Sequence, residues 1–534
     1  MKKALTLLLV LLTAVALFAS GSSEKAGASS SKQELPSEPV REYPIKTDEP
    51  ITLTYWTPLN GSVSRIISSY NENIALQKYM EEVGVRIEFI HPAVGQEQEQ
   101  FNLMMASGEL PDIIAAPGFY KGGVFQGLED GVYMDLTDLI PIYAPDYYAL
   151  IQEQDAFRRE VSNEEGRIPM FASYKVPGDP PFRRMVVKQE NLDKIGETVP
   201  RTIEDYERIF EKFKAQGITP YLLDRSGVEE QFAALFNIYA SEADGVKLLY
   251  KDESGKIHYS GLEDGFRSYL ELMNSWYQKG YISKDFASTD GSQARVLFDT
   301  DKIGMLADAV VATYNRCQLQ GFTAVSFPPV RSNPDQKLHY ERNDATPKMS
   351  QYDSFCAIST SCKYPEIAMR VMNYAYTEEG AELLNWGVEG VNWDYVNGQR
   401  VYNDNMLKNP KMDTETASYY YKMHFFPKLN YPDTQVHANL LKSAGALGIR
   451  MAYADEQNDS LWLLPNIQYT SDELNEVTRI QADLSTYVKE MILKFIVGAE
   501  SFDNYDKFIA TQKSLGAEKL ISITQNAYDR YMQK

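Results

Sequence analysis

ITLTYWTPLNGSVSRIISSYNENIALQKYMEEVGVRIEFI, from Ile51 to Ile90, is the stretch whose reading decides the fold. Ile51, Leu53 and Tyr55 alternate with Thr52, Thr54 and Trp56, which is the period of a strand. A turn follows at Thr57 to Ser62. From Val63 to Val83, residues Ile66, Ile67, Tyr70, Ile74, Met80 and Val83 recur at roughly helical spacing, and Arg86 to Ile90 returns to alternation. Strand, helix and strand in that order predict a β-α-β unit, and with it a parallel sheet joined by helical crossovers.

Working outward, a helical run carrying Phe101, Leu103, Met104 and Met105 stops at Gly108 and leads through Pro111 into a short buried strand, Asp112 to Ala116. Phe119 and Tyr120 sit on the loop beyond it. Ligands of parallel sheets gather at the carboxyl ends of the strands. Trp56 and Asn60 after the first strand, and Phe119 and Tyr120 after the third, are therefore expected on one rim. A core position for Trp56, facing a helix, is the competing reading.

A second α/β region follows. Arg167 to Tyr174 and Arg184 to Lys188 read as strands. Thr202 is placed to cap a helix whose face carries Ile203, Tyr206, Phe210 and Phe213. Helical runs are expected at Gln231 to Ala240, Gly265 to Gln278 and Ser292 to Asp299. A strand from Lys302 to Leu306 then delivers Asp308 to a loop, and Phe322 to Phe327 is strand-like again. Farther on, Thr470 and Glu473 form a capping box for a long amphipathic helix, with Leu474, Val477, Ile480, Leu484, Val488, Met491 and Phe495 on one face and Gly498 at its end.

The 534 residues exceed what a single core supports, so at least two lobes are expected. A formal charge of -21 argues against nucleic acid or an anionic membrane surface as partner. Lys2 and Lys3, an apolar run from Ala4 to Phe18 and small residues Ala19 to Gly21 have the layout of a signal peptide, 1–21; a polar tether is expected over 22–47. No cysteine stands just after the apolar run, so no lipobox is expected and the product is read as periplasmic or extracellular. With only Cys317, Cys356 and Cys362, disulfides do not organise the fold. Cys356 and Cys362 could pair if the segment turned back, although separate buried thiols are the expectation.

Enzymatic signatures are absent: there is no P-loop, no dinucleotide fingerprint and no nucleophile elbow, and the five histidines are scattered without metal-ligand spacing. No cofactor and no metal are expected. What the chain offers instead is aromatics on loops, above all WGVEGVNWDYVNG from Trp386 to Gly398. A sugar has apolar C–H faces and a hydroxyl rim, so a site for it needs flat aromatic walls edged by Asp, Asn, Glu or Arg. Trp386, Trp393, Tyr395, Tyr352, Trp462 and Trp56 could supply walls; Asn60, Asp308, Asn392 and Glu389 could supply rims. Within the opening loop, Gly387 and Gly390 are read as shaping the turn, Trp386 as core and Trp393 as meeting the ligand. The candidate ligand-binding residues are Trp56, Asn60, Tyr120, Asp308, Tyr352, Glu389 and Trp393. A secreted polysaccharide-degrading enzyme is the alternative, because Glu389 with Asp394 or Asp308 could form a carboxylate pair.

Several motifs, in this order, carry a resemblance over nearly the whole chain: Thr54-Tyr-Trp-Thr-Pro, Ala106-Ser-Gly-Glu-Leu-Pro-Asp-Ile, Leu192-Asp-Lys-Ile-Gly with Val199-Pro-Arg-Thr-Ile-Glu-Asp-Tyr, Lys302-Ile-Gly-Met, Gly387-Val-Glu-Gly-Val-Asn-Trp, and Ile480-Gln-Ala-Asp-Leu-Ser-Thr-Tyr-Val with Ala527-Tyr-Asp-Arg-Tyr. From about Ile51 the chain resembles the family 1 extracellular solute-binding proteins, the sugar-type binding subunits of ABC importers, and within them the LplA/LipO-like group related to alginate-binding proteins. The resemblance implies an α/β, two-lobe Venus-flytrap fold of the larger subclass with a helical C-terminal part. Lobe 1 is expected at 48–171 plus 323–361, and lobe 2 at 172–322 plus 362–534. It implies a monomeric, non-enzymatic carrier that takes a carbohydrate, an oligosaccharide, into the cleft and delivers it to ABC transporter permease subunits. Two departures are visible. Alginate-binding relatives carry an Asp- and Asn-rich calcium loop after the helix that Thr202 begins, where this chain passes directly through Phe213-Lys-Ala-Gln-Gly-Ile-Thr-Pro. The lipid-bearing cysteine usual in the family is absent too.

Overall fold

The computed structural model describes residues 35–61, 63–176, 183–241, 246–333, 335–339, 355–412, 414–432, 436, 458–459, 462–465 and 467–534. The expected signal peptide, 1–21, and Tyr352 lie outside them. In chain order the strands used below are β1 (Thr52–Trp56), β2 (Arg86–Ile90), β3 (Ile113–Ala115), β4 (Met170–Ala172), β5 (Tyr174–Lys175), β6 (Arg183–Lys188), β7 (Thr219–Leu222), β8 (Leu249–Lys251), β9 (Ile257–Tyr259), β10 (Ile303–Ala309), β11 (Ala324–Ser326), β12 (Leu338–His339), β13 (Phe355–Ile358), β14 (Trp393–Val396) and β15 (Gln399–Tyr402).

The β-α-β unit is present. β1 runs parallel to β2, with Thr52 opposite Arg86 and Trp56 opposite Ile90, and parallel to β3 on its other side. The crossover differs from expectation. The helix covers only Ile74–Val83, because Ser69 and Glu72 form a capping box around a single tight turn and Asn73 then caps the helix proper, its side chain accepting the Leu76 N–H. Gly84 ends it in the left-handed conformation, φ +73°, where Pro44 and Ile45 lie too close for a Cβ.

Two sheets result. The first has the order β2-β1-β3-β13-β4, the second β11-β6-β10-β7. In the first sheet the inner strands β3 and β13 are buried throughout, as a sheet covered by helices requires, and so is the edge strand β4. Each sheet has its own core. Leu53, Ile87, Ile113, Ile114, Met170, Cys356 and Val371 belong to one, and Val186, Phe210, Tyr221, Trp276 and Met305 to the other. The helix Ser471–Val497, capped by Thr470 as expected, lays Val477, Ile480, Leu484, Val488, Ile492 and Phe495 on the second core. Thr202 caps the helix Ile203–Ala215 in the same way, and Gln216, Gly217 and Ile218 then lead straight into β7.

The expected partition of the chain is corrected at three places. β11 hydrogen-bonds to β6 and so belongs to the second sheet, not with 323–361 in the first lobe. The helices Pro365–Tyr374 and Glu378–Trp386, expected in the second lobe, pack Ile367, Val371, Met372, Leu383 and Leu384 into the first core, because β13, which they follow, is an inner strand of that sheet. The tether is shorter than 22–47: Ile45 is buried in the first core, its N–H bonded to Val83, and Tyr43 donates to the Arg370 carbonyl. Cys317, Cys356 and Cys362 are separate buried thiols, and burial pushes Cys356 and Cys362 up to about 12. Among the described residues no helix is long and apolar enough to cross a membrane.

Candidate functional site

The second sheet aims three chain segments at one place. β10 is parallel to β7, so both present their carboxyl ends on the same edge, and antiparallel β6 begins there, with Arg183 opposite Ala309. Leu222, Leu223, Asp224 and Arg225 continue from β7, and Ala307 and Asp308 close β10. Thr289 to Ser292, Ala294 and Arg295 come from the turn into the helix Gly291–Asp299. Together these line a cavity of about 530 Å³, a size suited to a small ligand.

Asp308 is its best-fixed side chain. Sequence alone put it on a loop; the structure places it in β10, because the ladder with β6 continues three residues past Leu306, to Ala309, pairing Asp308 with Arg184. It is 7% exposed. Its carboxylate accepts the Ala309 N–H at 2.8 Å and the Thr313 hydroxyl at 2.9 Å, and Arg295 meets it with Nε and Nη2, each at 3.3 Å. Burial alone would raise its pKa, but the Arg295, Ala309 and Thr313 bonds outweigh burial and hold it below the ordinary carboxylate value. Asp290 caps the helix Gly291–Asp299 by accepting the Ser292 and Gln293 N–H groups. Asp224 accepts the Ser226 N–H at 2.8 Å and faces Arg183 at 3.8 Å.

The first sheet has a rim of different character. Trp56 stands at the end of β1 but is 4% exposed, packed edge-on against Phe101 at 5.6 Å and Phe119 at 6.4 Å. Expected as a ligand wall, Trp56 is packed in this structure as a core residue, because the helix Glu97–Ser107 brings Phe101 against it. Phe119, half-buried behind it, reaches the surface and lines a second cavity, of about 580 Å³, with Gly95 to Glu99, Asn102 and Leu103. Tyr120 points elsewhere: its hydroxyl donates to Asp130 at 2.7 Å and its ring rests on Tyr133. Asn60 follows β1 half-buried, its N–H reaching the Tyr70 hydroxyl at 3.4 Å, and lines neither of these two cavities.

Trp393 is also corrected. It is 2% exposed, in a small cluster with Trp386 and Tyr402, and its indole N–H donates to the Gly387 carbonyl at 3.0 Å. A buried tryptophan normally satisfies its N–H this way, which leaves neither face nor donor for a ligand. The turn reading of Gly387 fits the geometry: φ is +86°, and a Cβ there would come within 2.4 Å of Asn392 Oδ1. Asn392 bonds back to the Trp386 carbonyl and the Val388 N–H, so it fixes the turn. Glu389 is exposed on that turn, and Asp394 accepts from Asn403, whereas Asp308 is held by Arg295 on the second sheet. Trp462 is stacked between Tyr250 of the β8–β9 hairpin and His339 of β12.

Arg183 and Arg184 were the arginines that sequence reasoning named for an acidic sugar, and Arg183 lines the cavity; it missed Asp224, Arg225, Asp290 and Arg295. The available signal was positional: Asp224-Arg225 directly follows a strand of the second unit, and Asp290-Gly-Ser-Gln reads as a capping box.

The profile of the bacterial extracellular solute-binding protein family matches residues 61–382. The chain belongs to that family. Among curated relatives of this solute-binding protein, the fructooligosaccharide ABC transporter substrate-binding protein FusA of Streptococcus pneumoniae is 23% identical over 494 residues, 86% of this chain and 87% of FusA. Lipoprotein LipO of Bacillus subtilis is 22% identical over 245 residues, 44% of this chain and 45% of LipO. The solved structure of alginate-binding protein AlgQ2 without calcium ion aligns with a TM-score of 0.68 at 22% identity, covering 90% of this chain and 99% of that one. The solute-binding protein therefore has the two-lobe periplasmic binding fold that the resemblance implied.

Proposed function

We propose that this solute-binding protein is the substrate-binding subunit of an ABC importer, capturing an oligosaccharide between its lobes and presenting it to membrane permease subunits. The observation that carries the reading is the charged cavity at the carboxyl edge of the second sheet, in a chain that aligns nearly end to end with a fructooligosaccharide-binding relative. Its arginines and aspartates are groups that read sugar hydroxyls in pairs, and Phe119 with Gln96, Gln98, Asn102, Glu97 and Glu99 offers a ring edged by amides and carboxylates on the first sheet. The lobes implied are 39–175 plus 355–430, and 183–333 plus 471–534. A single copy holds both rims, so the working unit is a monomer. Residues 1–21 direct export and the mature protein works in the periplasm.

Closure is a population shift. A ligand that touches both rims favours the closed form by its difference in affinity for the two forms, and a ligand touching one rim does not. Binding also stabilises the fold by mass action, by about 2.7 kcal/mol at a ligand concentration 100 times Kd. Thermal unfolding against a panel of neutral and acidic oligosaccharides, amino acids and peptides tests the reading. At least one oligosaccharide is expected to raise Tm in a concentration-dependent way. A rise with peptides or amino acids and with no saccharide would overturn it.

A further inference from the structure

The charges lining the second-sheet cavity sum to zero but are not all paired with one another. Its lining holds three aspartates, Asp224, Asp290 and Asp308, and three arginines, Arg183, Arg225 and Arg295. Each aspartate is already matched from within the protein. Asp308 is held by Arg295 and, at 3.6 Å, by Arg316, in addition to Thr313 and the Ala309 N–H. Asp290 is matched by the amino end of the nine-residue helix it caps, where the macrodipole is positive. Asp224 is matched by Arg183 and the Ser226 N–H. That leaves Arg225, which is exposed and makes no ion pair or side-chain hydrogen bond among the described residues. Among the described residues, the charge of the cavity left without a partner is one guanidinium at its wall, in a chain whose formal charge is -21.

We infer that the oligosaccharide carries an acidic group, a uronate carboxylate or a sulfate ester, and that Arg225 binds it, with Arg183 and Arg295 beside it. The inference rests on the carbohydrate reading above and narrows its substrate class. A guanidinium presents a planar fork of donors matched to a carboxylate or sulfate, which is why arginine and not lysine suits this role. An overall acidic protein repels anionic sugars at long range, so a site for one needs local cations whose charge is not absorbed by neighbouring acids. A site for a neutral sugar would be served as well by the matched Asp–Arg pairs alone, and Arg225 would have nothing to do.

The test compares Kd for oligogalacturonate, the same oligomer fully methyl-esterified, and a neutral-backbone oligosaccharide bearing sulfate esters, on the full chain and on Arg225→Gln. The ester keeps the shape of the sugar and removes the charge. The expected result is at least about tenfold tighter binding of one acidic form than of the ester, the size of a lost charge-assisted bond; a larger loss for that acid than for the ester in Arg225→Gln; and weakening with added salt. Preference for oligogalacturonate identifies the carboxylate, and preference for the sulfated oligomer the sulfate. Because Arg225 is exposed, the variant is expected to unfold at the same temperature as the parent without ligand. Binding of the ester or other neutral oligosaccharides as tight as the acids, unaffected by Arg225→Gln, overturns the inference while the carbohydrate reading stands. Binding of no saccharide of either kind removes both.

Discussion

The two rims occupy the same place in their sheets and differ in chemistry: both carry carboxylates, but one adds an aromatic ring and amides and the other adds arginines. At the end of β1 the chain turns its large aromatic, Trp56, inward onto Phe101 and Phe119, and the cavity beside it is edged by amides, Gln96, Gln98 and Asn102, and by the carboxylates Glu97 and Glu99, with no arginine among the described residues that line it. At the ends of β7 and β10 no aromatic lines the cavity among the described residues; aspartates and arginines do. In the proposed reading, topology sets where a ligand would meet each sheet, and the loop residues decide what each sheet can read. A ligand that satisfies both has a face for Phe119 and a polar or charged edge for Arg183, Arg225 and Asp308.

The comparison can be broken at each end. The largest effect is expected from Trp56→Ala: if Trp56 is core, the substitution costs about 3–5 kcal/mol in chemical denaturation. A loss below about 1 kcal/mol together with abolished binding would return Trp56 to the ligand wall. Asp308→Ala is expected to cost less, about 1–3 kcal/mol, because removing one partner of a buried pair leaves the other unmatched, but Arg295 is 49% exposed and water softens that cost. The same pair sets a pH dependence. The folded-state pKa of Asp308 lies below its unfolded value, so its contribution is fully present above about pH 4 and is lost as pH falls through the lower folded value. Parent and Asp308→Ala stabilities should therefore converge in acid, and a gap that persists or widens there would contradict the assignment. The smallest effect is expected from Tyr395→Ser. Tyr395 is 50% exposed at the β14–β15 hairpin, and the change should move stability by less than about 0.5 kcal/mol and leave Kd unchanged. A tenfold weaker Kd would place the hairpin in the ligand's path and redraw the contrast between the rims.

How much of this was legible in the sequence depends on the range of the interactions involved. β1, β2 and the capped helices Ile203–Ala215 and Ser471–Val497 were readable because alternation, helical spacing and capping boxes are local signals. The lobe boundaries were misplaced because β11 and the helix Pro365–Tyr374 are assigned by partners far away in the chain, β6 and the first core. Trp393 misled for a related reason: an aromatic after a helix looks the same in sequence whether it faces solvent or, as here, returns its N–H to Gly387 six residues earlier. Arg225 and Arg295 carried no periodic mark, since charged residues are frequent and only the packing of the helix Gly291–Asp299 beside the ends of β7 and β10 brings them together. Asp308 was found, but its loop became a strand end because β6 extends the ladder past Leu306.

The central claim is that this chain holds a carbohydrate without altering it. Titration calorimetry of the purified protein with an oligosaccharide panel, followed by mass spectrometry of the recovered sugar, tests it most directly. The account predicts saturable heat at one site per chain for at least one oligosaccharide, and that sugar returned at its original mass. Saturation by peptides alone, or recovery of shortened sugar, would contradict it.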